Sequence, residues 1–550
     1  MEEASERSLF EHLGQDVLTY VLSVDDEMLR RRLESSTNRL SDEQENVLAQ
    51  LVAIDDQIGG WRLGQDTADE WARRFGSASD PDPAISLGNL ARKLTGGTLL
   101  AVPNDADDIE VELFQMAIDT YPGLLVKEPE DPIHRRIGHP VSIFRHPANE
   151  RFQKLVYKDS DLKKLFDKDS EQSGPGGMVT RSTGQGGSIQ LWTFAETVLY
   201  SAWTIATLDN LVPMNSQYLK AVRVVLQTIR AAIQGKSVKI PARVGITGVL
   251  LPESVDSIDL KWAKIRRSGP QDQAFISSTS LEGQLTGTNE LGETAVINYS
   301  GDLVLELEVP FALRLGERDV DAYWAPGMMI SSNALSHAIE NVRLGLLLAF
   351  PDRRVVVHSS WIAMLDPFNH GRHAGWSDIK RAVGLMPTQL STEQVGEWKI
   401  WTTRIGKNRI PTIGVAIRRM LAAVGERRTM EDILVDAVIV WENLFGASTE
   451  TTLRISSSLS WLLGTSRPDR MIRLARYKRI YGFRSKVVHG APQVDSQKLQ
   501  EYGFEAVQTS ILALRAIFNT HVHLLDIKES EGRSEVIMHQ GDERSESSSK

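Results

Sequence analysis

RPDRMIRLARYKRIYGFRSKVVHG, residues 467–490, is the stretch on which the fold of the C-terminal quarter turns. It carries the cations Arg467, Arg470, Arg473, Arg476, Lys478, Arg479, Arg484 and Lys486 against the single anion Asp469. It reads as a basic helix stopped by Gly490 and Pro492. Four further segments after Pro411 have helical periodicity: TIGVAIRRMLAAVGERR, MEDILVDAVIVWENLFG, TETTLRISSSLSWLLG and QKLQEYGFEAVQTSILALRAIFNTHVHLL. Gly446, Gly464 and Gly490 follow three of the five, where a C-terminal cap favours a residue tolerant of positive φ. Five helices in about 115 residues predict a C-terminal all-α bundle over 410–527. The polar, Ser-rich 528–550 predicts a disordered tail.

The basic helix ends in a pair with chemistry. Attack of a 2′-hydroxyl on its own phosphate, without a metal, calls for proton transfer near neutral pH and a cation for the crowded phosphate oxygens; histidine and arginine supply both. Arg484 and His489 stand at R-x4-H spacing. Spacing alone is weak, because Arg353 and His358 share it, while Arg515 with His521 and Arg533 with His539 have R-x5-H. Context separates them: Arg353 and His358 flank what reads as a strand, Arg515 and His521 straddle a helix end, and Arg533 lies in the expected tail. Only Arg484 and His489 sit among eight cations at a helix end.

Tyr481-Gly-Phe-Arg-Ser-Lys-Val-Val-His-Gly490 resembles the signature of the HEPN superfamily in its ApeA-like branch, with Tyr before Arg-Ser, two aliphatics before His-Gly, and an R-x4-6-H pair. Upstream, ERRTMEDILVDAVIVWENLFG is similar to that branch's earlier helices, and its recurring Asp and Glu match Asp432 and Glu442. The resemblance covers about 410–525 and implies a metal-independent endoribonuclease in which Arg484 and His489 are catalytic and Glu442, Asp432, Tyr481 and Ser485 support them. It also implies a composite site of two protomers, hence a homodimer with RNA as substrate, and a role in antiviral defence or toxin–antitoxin control. One departure is Ala491, where another HEPN subgroup has a Tyr used for regulation by adenylylation; that control is not implied. Helix geometry argues separately for a second chain: positions five apart diverge by about 140°, so a straight helix cannot aim both groups at one phosphate. Either the helix unwinds before His489 or another copy completes the site.

Structural readings stand beside these roles. His489 could cap helix-terminal carbonyls, Arg484 could pair with Glu442, and Tyr481 could pack the core. Glu442 lies in an apolar run and needs a partner, most simply Arg484. Arg473, Arg476, Arg479 and Lys486 could track an RNA backbone or form a solvated face. The alternative for the whole is a non-catalytic nucleic-acid- or protein-binding module.

Outward from the bundle, 189–405 reads as a mixed α/β sensor or regulatory region: helices in SIQLWTFAETVLYSAWTIATLDNLV and YLKAVRVVLQTIRAAIQG, then strands in SVKIPARVGITGVL and ETAVINYSGDLVLELEVPFALRL. Residues 173–188, SGPGGMVTRSTGQGGS, read as a flexible linker. Residues 101–172 read as a mixed α/β segment, and 1–100 as an α-helical module with a capping box at Ser41 and Gln44. The order of helices over 15–95 weakly resembles Xre/ParS-type antitoxins, which implies operator binding; docking with a solvated Arg30–Arg32 run is the other reading. A regulatory protein or phage trigger would act on the sensor or regulatory part, residues 1 to about 400.

The 550 residues imply several domains, and a net charge of −10 argues against unspecific coating of nucleic acid. With no cysteine, disulfides, thiolate metal sites and cysteine nucleophiles are excluded. No stretch has membrane-span character, and the acidic start MEEASERSLFEHLG lacks an export signal, so a cytoplasmic location is expected. His370 and His373 have a metal-like interval without further ligands, and no phosphate-loop, Rossmann, kinase or serine-hydrolase motif is present; neither metal nor cofactor is expected.

Overall fold

The computed structural model describes residues 2–547 apart from 35–39, 60–64, 77–84, 128–142, 144–145, 167–177, 183–186, 276–283, 289–293, 299–300, 316–329, 353–354, 369–372, 376–386, 410 and 490–494. Among these residues the chain is mostly helical, with a small antiparallel sheet in its middle and helices at both ends.

The N-terminal helices begin with Glu2–Leu13, Gln15–Leu22, Asp26–Glu34 and Asp42–Gly59. The Ser41 box forms: Gln44 N–H donates to Ser41 Oγ at 3.2 Å and Ser41 N–H to Gln44 Oε1 at 2.9 Å. Arg30 and Arg31 of the arginine run lie exposed on their own helix, Arg31 pairing with Glu27 at 2.8 Å, while Arg32 is more enclosed and pairs with Glu6 at 3.0 Å. Residues 101–172 depart from the α/β expectation. Their described part holds the helices Asp108–Leu124 and Pro147–Lys158, and no strand. Asp107 and Glu110 close a reciprocal capping box that starts the first of these, a local signal that outweighs the β-branched texture after it. Nor is residue 100 a boundary in packing, since Leu9, Trp71, Phe114, Phe152 and Phe194 share one core.

The middle sheet has six strands in the order His373–Gly375, His358–Met364, Val238–Thr247, Leu303–Phe311, Ala263–Arg267 and Ser257–Asp259. Val238–Thr247 pairs antiparallel with Leu303–Phe311 from Val238 opposite Phe311 to Ile246 opposite Leu303. The strand expected from Arg353 begins only at His358; Arg353 lies outside the described residues. Part of the expected linker is a hairpin, Met178–Ser182 against Gly187–Gln190, extended by Arg314–Leu315. A Gly-rich stretch buries little apolar surface, yet its backbone can still pair in a ladder.

Two helices join this core to the next. In Ile330–Ala349, Leu335, Val342 and Leu346 face the first core while Leu344, Leu347 and Leu348 face the second. In Thr392–Asn408, Trp398 and Trp401 divide the same way.

The second core is the bundle: Gly414–Gly425, Met430–Phe445, Thr451–Leu463, Arg467–Val488 and Ser496–Asn519. Gly446 and Gly464 have φ of −67° and −86°, not the positive φ expected. Space decides them instead: a Cβ on Gly446 would lie 2.4 Å from the Glu442 carbonyl oxygen. The tail expectation also fails, because Ser530–Ser547 is a helix. Its Arg533, 1% exposed, donates to the carbonyls of Asn443 at 2.7 Å and Leu444 at 3.0 Å. The tail thereby caps the end of Met430–Phe445, which composition alone cannot reveal.

Candidate active site

The basic helix shows the bundle two unequal faces. Tyr477, Ile480, Tyr481 and Arg484 follow helical spacing on one side, where Tyr477 and Ile480 are buried and Tyr477 meets Trp441 edge to face at 5.6 Å. At about 100° per residue, Ala475, Arg479, Gly482, Lys486 and His489 line the opposite side, and all are exposed.

On the inner side Glu442 accepts from the Tyr481 hydroxyl at 2.8 Å and from Arg484 Nη2 at 3.4 Å. The pairing expected of Glu442 is therefore present, and Tyr481 joins it. Partial burial, then the Glu442 carboxylate, pushes the Tyr481 hydroxyl up to about 12. Arg484 is not fully engaged: its Nε is buried with no hydrogen-bond partner among the described residues, and its side chain stays 19% exposed. A guanidinium held by one long bond can exchange carboxylate for phosphate at small cost.

His489 closes the helix, its backbone N–H donating to the Ser485 carbonyl at 3.1 Å. The helix runs unbroken to Val488, so unwinding does not bring the pair together. Its ring is exposed, and among the described residues it makes no hydrogen bond to the helix's last carbonyls.

The other predicted residues divide. Arg476 pairs with Glu501 and Glu505, at 2.7 Å from Nε to Glu505, and stacks over Tyr502 at 4.6 Å; these acids hold its pKa well above the ordinary arginine value. Arg473 is occupied by Asp469 at 2.9 Å and by the Tyr477 hydroxyl at 3.2 Å. Arg479 and Lys486 are exposed without an acidic partner among the described residues. Asp432 sits exposed in the first turn of its helix, about 15 Å along the axis from Glu442, and is not brought to the site. Ser485 contributes its carbonyl to the helix end. The acid that sequence reading missed is Asp436, 2% exposed, which takes Arg419 at 2.8 Å and Arg427 at 2.6 Å. Its position among apolar neighbours in ILVDAVIV was the available signal. His373 lies in the edge strand His373–Gly375, and His370 falls outside the described residues. The remaining decoys are structural: Arg515 donates to the Leu348 carbonyl at 2.8 Å, and Arg533 is the buried cap.

No helix among the described residues is long and apolar enough to cross a membrane. No known family model matches the chain, and no curated protein or solved structure matches it either.

Proposed function

We propose that this chain is a metal-independent endoribonuclease of the HEPN type, with the bundle as effector and the preceding regions as its regulator. The observation that carries this reading is the exposed imidazole of His489 at the end of a helix whose outer face carries Arg479 and Lys486, with a half-satisfied Arg484 on the inner face of the same helix. Arg479 and Lys486 bind backbone phosphates, and His489 takes the proton of a 2′-hydroxyl. The O2′–P bond forms as the P–O5′ bond breaks, leaving a 2′,3′-cyclic phosphate and a 5′-hydroxyl that gains a proton. Arg484 neutralises the phosphate oxygens in the transition state. Arg484 and His489 of one chain diverge on an unbroken helix, so the pair at each phosphate comes from two copies. Met471 and Ile472, 61% and 70% exposed on the same helix, support such a pairing. A bacterial anti-phage role follows from the resemblance.

The test compares wild type with Arg484→Ala and His489→Ala. Cleavage should fall about 10²–10⁴-fold in each, and mapped ends should carry cyclic phosphates. Equal RNA integrity and growth in all three would remove the enzymatic reading. The Arg484–Glu442 pair also suits a non-catalytic binding module. Such a module keeps its affinity after His489→Ala and leaves RNA intact.

A further inference from the structure

A cavity of about 600 Å³ lies between the helix Thr392–Asn408 and the turn joining Ser257–Asp259 to Ala263–Arg267. Its helical wall is one face, Lys399, Ile400, Thr403, Arg404, Lys407 and Asn408, and Lys261 and Asp259 line it from the turn. Four cations thus face one acid in a chain of net charge −10. Asp259 accepts the Lys261 backbone N–H at 2.9 Å and offsets one of the four cations, which leaves an excess of three positive charges in the lining. Lys261 itself has φ of +66°, a conformation rare outside glycine, which the closed turn imposes with Leu260 N–H on the Ala263 carbonyl at 2.8 Å. Arg404 is fixed in place by Asn519 at 2.5 Å and by the Trp401 ring at 4.7 Å.

Unneutralised cations three to eight residues apart on one helix repel one another, and an anion between them removes that cost. The cavity's size is that of a small-molecule site. Ile400, 49% exposed among the cations, offers apolar surface for a ring. The neighbouring Trp262, next to Lys261, keeps a buried indole N–H without an acceptor among the described residues, close to Gly406. We infer that this cavity binds a nucleoside polyphosphate, its phosphates on Lys261, Lys399, Arg404 and Lys407 and its base against Ile400. Arg404 reaches Asn519, the last residue of a bundle helix, so the ligand sits where the sheet region meets the bundle.

The experiment is isothermal titration calorimetry of the full chain with ATP, GTP and inorganic pyrophosphate, and separately with a single-stranded RNA. Saturable one-to-one binding of a nucleotide below about 1 mM is expected. Lys399→Ala/Lys407→Ala should weaken it about 100-fold, roughly tenfold for each charge-assisted hydrogen bond removed. Both lysines are exposed, so thermal melting should be unchanged, and His489→Ala should bind as wild type does. Absence of saturable binding to any of the three probes would overturn the inference. So would nucleotide binding indifferent to the double variant, or lysine-dependent binding of the RNA alone. The readout is affinity, so none of these outcomes bears on RNA cleavage.

Discussion

The helices Met430–Phe445 and Arg467–Val488 lie against each other, joined by Trp441 on Tyr477 and by Glu442 on Tyr481 and Arg484. The first buries ten of its sixteen residues, and even its central acid, Asp436, is closed off by two arginines. The second buries two of twenty-two. The difference separates a helix held by packing on most of its surface from one held along a single seam. Met430–Phe445 gains its free energy from apolar burial, so its residues answer to packing. Arg467–Val488 is held by a narrow seam; Arg473, Arg476 and Arg484 are paired with acids, while Arg467, Lys478, Arg479 and Lys486 stand exposed.

The comparison breaks first at Trp441, which is fully buried and donates its indole N–H to Ser510 at 2.9 Å. Trp441→Ala should cost about 3–5 kcal/mol, the transfer term plus a cavity that the surrounding helices fill incompletely. Chemical denaturation of the full chain measures it. A loss under about 1 kcal/mol would mean that this helix is not the packing centre of the bundle.

A smaller effect sits at the junction of the two helices. Tyr481→Phe removes one hydrogen bond to a partly exposed carboxylate, about 1 kcal/mol after allowance for solvent. The folded hydroxyl has its pKa near 12, above the ordinary 10.0, so its contribution is whole below pH 10 and is lost as pH rises toward 12. Wild type and Tyr481→Phe should therefore differ more in stability at about pH 8 than at about pH 11. A gap that stays constant over that range would show that the hydroxyl does not hold its proton against Glu442.

What the sequence made legible follows the same division. Five helices after Pro411, the strands around Val244 and Leu305, and the pairing of Glu442 with Arg484 were readable because each rests on a local pattern or on one unavoidable partner. Three features were not. Arg533 works through carbonyls nearly ninety residues away, so a polar tail concealed a cap. Asp432 matched the family spacing, yet helix geometry leaves it at the exposed first turn, while Asp436 is the acid inside. Arg473 and Arg476 counted as free cations until the acids of neighbouring turns and helices claimed them. A charge run states how many cations a helix has, and only packing states which remain available.

The smallest expected effect on stability is the most informative about that availability. Met471 and Ile472 stand exposed near the start of the basic helix, on a helix that buries only Tyr477 and Ile480. Replacing both with lysine should change the unfolding free energy by less than about 0.5 kcal/mol, as exposed positions do. If the helix pairs with a second copy, those same changes put like charges across the interface and leave apolar surface unburied, and association should fall at least about tenfold. Sedimentation of wild type and Met471→Lys/Ile472→Lys over a dilution series reads this directly. Because the R-x4-H residues of one chain diverge on an unbroken helix, RNA cleavage should fall with the dimer fraction. Full activity in a monomeric double variant would mean that one chain's His489 works without a second copy's Arg484.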